Sequence, residues 1–62
     1  MSRTAALLTT LDRASLDSKR APDARRILGA EANELRAVIQ RGGNVEARAE
    51  EARATLAMWE GY

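Results

Sequence analysis

The side chains able to do chemistry here are three serines, four threonines, one tyrosine, nine carboxylates and ten cations, with no His and no Cys. Ser2, Ser15 and Ser18 have no imidazole to take up a hydroxyl proton, so a nucleophile would lack its base. Zinc sites draw on Cys and His, and neither is present. No glycine-rich phosphate loop occurs. Glu31 alone falls on an apolar stripe, but a lone carboxylate without a second acid has no reaction to serve. Its expected fate is to reach the stripe's edge and water. The alternative is a register-fixing pair with an arginine of a neighbouring helix, because a buried carboxylate without a partner is costly. No catalysis, metal or cofactor is expected.

The cations offer a second kind of chemistry. Lys19, Arg20, Arg25 and Arg26 cluster around a break before and just after Pro22. Arginines and helix N-termini both suit phosphate. No aromatic residue interleaves them, so no stacking platform for bases is offered. A helix-turn-helix needs a basic outward recognition helix, whereas the last stretch carries Glu46, Glu50, Glu51 and Glu60. A solvated loop is the plainer reading of the cluster, and nucleic-acid binding is the alternative function.

These residues ride on three Ala- and Arg-rich stretches with helical spacing. The first helix is expected over 3–16, with Ser2 as N-cap and Leu7, Leu11 and Ala14 on one stripe, flanked by Thr4 and Leu8. The second is expected over 22–41. Pro22 suits its first position, and Asp23 in its first turn suits the positive end of the dipole. Its expected buried face is Ala24, Leu28, Glu31, Leu35, Val38 and Ile39. Gly29 lies inside it and either admits a close backbone or is tolerated at about 1 kcal/mol. Gly42-Gly43 ends this helix, since Gly adopts the left-handed conformation without a Cβ clash. Asn44 then caps a third helix over 45–60. So short a connection forces an antiparallel αα-hairpin. The third helix has a heptad seam of Val45, Ala49, Ala52, Leu56 and Trp59, with alanine in its middle layers.

Composition sets the stability problem. Large apolar residues are few, and much of the 45% hydrophobic content is alanine. A core below about 70–80 residues rarely supplies more than about 3–5 kcal/mol, and disulfides and metals are not on offer. The fold class is therefore all-α: one domain over 1–62, a small helical bundle completed by oligomerisation or by a partner. Residues 1–26 hold six cations against three Asp, and residues 27–62 hold four against six Glu. The basic front and acidic back balance to +1, too little to imply strong nucleic-acid binding. No segment approaches 18 apolar residues, and neither a membrane contact nor a signal peptide is expected. The composition suits a bacterial or phage coding sequence. The expected location is cytoplasmic, in the host if phage-encoded.

What remains is contact with another macromolecule. Trp59 closes the seam, and its ordinary role is to cap the core. Trp is also a frequent interface anchor. Met58 points away from the seam and shares a second, mild apolar face with Ala47, Ala54 and Ala57. Ala47, Ala54, Met58, Trp59 and Tyr62 are the candidate interface residues. The expected function is a non-catalytic protein-interaction module, a regulator, inhibitor or adaptor. It docks a partner protein through a helical face and self-associates, with a homodimer favoured. A structural component of a larger assembly is a further alternative.

Overall fold

A computed structural model describes residues 2–60. They form three α-helices and, among the described residues, no strand: α1 (Arg3–Leu16), α2 (Pro22–Arg41) and α3 (Val45–Met58). The first two match their expected bounds. The third stops two residues before the expected Glu60. The Trp59 amide still donates to the Thr55 carbonyl at 3.2 Å, but the Glu60 amide reaches only Ala57, a tighter turn that closes the helix.

Each helix end is held by local chemistry. The Ser2 hydroxyl accepts from the Ala5 amide at 3.0 Å, and the Asn44 side-chain oxygen from the Ala47 amide at 3.1 Å. Both satisfy a first-turn donor that lacks a helical partner. The α2 start has no side-chain cap, but Pro22 removes one of the orphan donors. Its end carries two carbonyl-capping bonds, from the Gly42 amide to Ile39 at 3.3 Å and from the Gly43 amide to Val38 at 3.0 Å. Gly42 stands at φ 73°, where a Cβ would be strained. The tight link that follows turns α3 back along α2.

α1 also runs antiparallel to α2 in the same chain. Asp12 meets Arg36, while Ser15, one turn on, meets Gly29 and Arg25. α2 is thus the central element, with α1 and α3 packed on it and on each other. A Cβ added at Gly29 would lie 3.3 Å from the Ser15 Cβ. The glycine lets the last turn of α1 settle close to α2, the first of the two roles expected for it.

The buried residues are Leu7, Leu11 and Ala14 of α1, Ala24, Leu28, Ala32, Leu35 and Val38 of α2, and Ala49 and Ala52 of α3. Leu8, Val45, Leu56 and Trp59 pack against this core half-buried. The α1 stripe and α3 seam lie where their spacing put them. α2 needs two corrections. Ile39, expected on the buried face, is 42% exposed. Its neighbour Val38, in the same turn, is 5% exposed, so at this end the cover of α2 falls on Val38 rather than on Ile39. Ala32, outside the expected face, is fully buried between Leu28 and Leu35 at spacings of four and three.

The Gly42 geometry makes a direct prediction. Gly42→Ala should destabilise the protein by about 1–2 kcal/mol, lowering the midpoint by roughly 4–8 °C per kcal/mol in a domain of this size. Thermal unfolding followed by circular dichroism checks this. An unchanged midpoint would mean that the turn is not fixed by its left-handed residue.

Candidate protein-interaction surface

The outer face of α3 follows from its seam. With Ala49 and Ala52 buried, the helical period turns Ala47, Ala54, Ala57 and Met58 outward, and all four are exposed. Met58 is 67% exposed, one of three large apolar side chains displayed among the described residues. Glu46, Glu50 and Glu51 flank this stripe, also exposed. The face is a shallow run of small and apolar groups set among carboxylates. Trp59 does not join it: half-buried, it packs on the core, and its carbonyl accepts from Arg20. Tyr62 lies outside the described residues.

The opposite side of α3 is fixed by Glu31. This carboxylate does not escape to water but joins Arg48 in an ion pair between α2 and α3, the side chains only 15% and 16% exposed. The Thr55 hydroxyl lies 3.0 Å from its other oxygen. Arg48 also reaches Glu51 at 2.8 Å within α3. The group therefore sets the register of the hairpin: sliding α3 by a turn would strand a shielded charge. Spacing on α2 alone exposes the problem of Glu31. The answer lies on α3, where Arg48 and Thr55 share the flank of the seam.

The basic cluster is dispersed by the fold. Arg25 Nε donates to the Ser15 carbonyl at 3.3 Å, and Arg20 Nη1 donates to the Trp59 carbonyl at 3.5 Å. Each guanidinium thus sits at the negative C-terminal end of another helix, where a cation is favoured. Arg26 lies 3.6 Å from Asp23, both well exposed, a pair of little energetic weight. Lys19 is exposed on the connecting turn, its amide donating to Asp17 at 3.0 Å. The cluster is close in sequence, but two of its four members are turned inward onto backbone oxygens.

Residues that the spacing did not single out complete the picture. Asp12 and Arg36 pair across α1 and α2. Leu16, the last residue of α1, is 78% exposed. The signal for Leu16 was in the sequence, since it falls off the Leu7–Leu11–Ala14 stripe. The described residues enclose no cavity, and no three acidic side chains among them converge as metal ligands would. No described helix is long and apolar enough to cross a membrane. No protein-family model matches the chain, and comparison with the curated proteins and with the solved structures found no match.

The two arginines of α3 should differ in weight. Arg48→Met leaves Glu31 shielded with only Thr55 for company and should cost about 1–2 kcal/mol. Arg53→Met breaks an intrahelical pair with the exposed Glu50 and should cost less than about 0.5 kcal/mol. Urea unfolding of both variants reads the difference. Equal losses would remove Glu31–Arg48 as the register device.

Proposed function

We propose that this chain is a non-catalytic protein-interaction module, a small regulator, inhibitor or adaptor that docks on another protein through the outer face of α3. The observation that carries this reading is Met58, held out from a helix whose opposite side is already fully used. Met58 adds nothing to the core, and we read the stripe it forms with Ala47, Ala54 and Ala57 as a contact surface. The alanines beside it would let a partner helix approach closely. Three carboxylates around the stripe would select a partner of basic character.

We further propose that the protein self-associates and is cytoplasmic, bacterial or phage-encoded, a reading that rests on its composition. The outer face of α3 offers no groove for a small molecule. The arginines near Pro22 remain the alternative site, for nucleic acid; their inward hydrogen bonds leave that reading with less support than α3.

Capture from a nuclease-treated bacterial lysate tests the proposal, with wild type and Met58→Glu run side by side. The variant should keep its stability to within about 0.5 kcal/mol, because the position is exposed. Wild type should enrich one distinct protein that the variant loses. Equal enrichment by both would rule out this face of α3. Enrichment only when nuclease is omitted would transfer the function to the arginines.

A further inference from the structure

The enclosed bulk of the bundle lies on two of its three helices. Leu11, Leu28 and Leu35, the largest side chains fully removed from water, belong to α1 and α2. Those two helices are also tied directly, by Asp12 with Arg36 and by Arg25 on the Ser15 carbonyl. The buried residues of α3 are Ala49 and Ala52, with Val45, Leu56 and, just past its end, Trp59 half-buried against the same core. Alanine buries little apolar area, so α3 is the helix that detaches at least cost.

The link to α3 divides between Gly43 and Asn44. The Gly42 and Gly43 amides donate back to Ile39 and Val38 of α2, whereas Asn44 caps forward, accepting from the Ala47 amide. Each set of bonds therefore stays with its own helix when the chain opens there, and a glycine permits a wide swing of the backbone. Opening takes both partners from Glu31, whose carboxylate is held by the Arg48 guanidinium and by the Thr55 hydroxyl at 3.0 Å. A foreign helix laid in the same place would shield that carboxylate again without its partners, which is costly. A helix that restores both bonds must carry a guanidinium and a hydroxyl two turns apart, beside a stripe of small residues.

We infer that the groove filled by α3 on α1 and α2 is the site of self-association, and that its occupant there is α3 of a second copy of this chain. The inference rests on the proposed self-association and names the surface it uses; the outer face of α3 stays free. The exchange is reciprocal. Each copy gives its α3 and receives the other's, so two chains close the assembly with two-fold symmetry. The contacts of α3 with α1 and α2 are remade between chains, so the closed and exchanged forms differ little in energy and concentration decides between them.

Refolding from urea over a range of chain concentrations tests this, with sedimentation velocity read after dilution to one common concentration. The expected result is a species of twice the 6.8 kDa of one chain. Its share should rise with the concentration at refolding and be unchanged by Met58→Glu. Charge-reversed chains identify the exchange. Glu31→Arg and Arg48→Glu each set like charges face to face, so each alone should lose its helical spectrum at lower urea than wild type. Refolded together, they should form a dimer with one of each chain, in which one groove regains the native pair and the other its reversed counterpart. Should the mixture stay as destabilised as its parts, deletion of Gly42 and Gly43 decides. With Asn44 directly after Arg41, α3 is unable to turn back on its own α2, and the chain should be a helical dimer. A deleted chain in any other state, or a wild type that is monomeric after every refolding, would overturn the proposal. A wild-type dimer dissolved by Met58→Glu would also overturn it and return self-association to the outer face of α3. A wild type that never dimerises yet captures a distinct protein through Met58 would leave the docking role of that face intact and remove only the exchange.

Discussion

Five of the ten buried apolar side chains among the described residues are alanines, so the helices must come close before those methyl groups touch anything. Everything else in the bundle answers to that distance. At Gly29 a Cβ would stand 3.3 Å from the Ser15 Cβ, tighter than ordinary contact, as α1 settles on α2. The alanine layers of α3 do the same for the hairpin. Only Leu11, Leu28 and Leu35 are large and fully enclosed. Dispersion and transfer terms scale with the atoms buried, so three leucines and a set of methyls leave little margin.

Close helices bring their polar flanks within reach, and the structure uses this. Asp12–Arg36 ties α1 to α2, and Glu31–Arg48 ties α2 to α3. Arg25, at the start of α2, and Arg20, in the connecting turn, reach carbonyls at the ends of α1 and α3 respectively. No buried side-chain polar atom among the described residues is left without a partner. These contacts add modest stability, because most remain partly exposed to water. Their larger effect is selective: an alanine seam tolerates sliding, whereas a shielded carboxylate facing the wrong residue does not. Register is held by the polar flanks and approach by the small residues.

The elements were legible because their signals are local. Ser2, Pro22, Gly42 and Asn44 each act within a few residues, and the helix starts follow from them. The buried stripes of α1 and α3 were legible for the same reason, as fixed angles on one helix. What could not be read were facts about relative position. Val38 and Ile39 both fit the stripe of α2, yet nothing in that helix says which of the two its neighbours cover. Glu31 announces a conflict on α2 that only the placement of Arg48 resolves. Chain proximity of Lys19, Arg20, Arg25 and Arg26 does not become spatial alignment: folding sends Arg20 and Arg25 to two different helix ends. For the candidate interface, periodicity identified Ala47, Ala54 and Met58 as outward, while Trp59 proved to belong with the core.

Size also limits what a contact on this protein can be. A standard interface buries about 800 Å² on each partner, about a fifth of the 4138 Å² that this chain exposes. A helix of 14 residues is about 21 Å long, so one face of α3 supplies only part of that area. Contact through a single face would be weak and short-lived. Engaging a second face raises the total without enlarging either patch, since two modest contacts on one particle reinforce each other through effective concentration. A bundle whose exposed large apolar side chains, Leu16, Ile39 and Met58, are divided among the ends of three helices suits repeated shallow contacts better than one deep one.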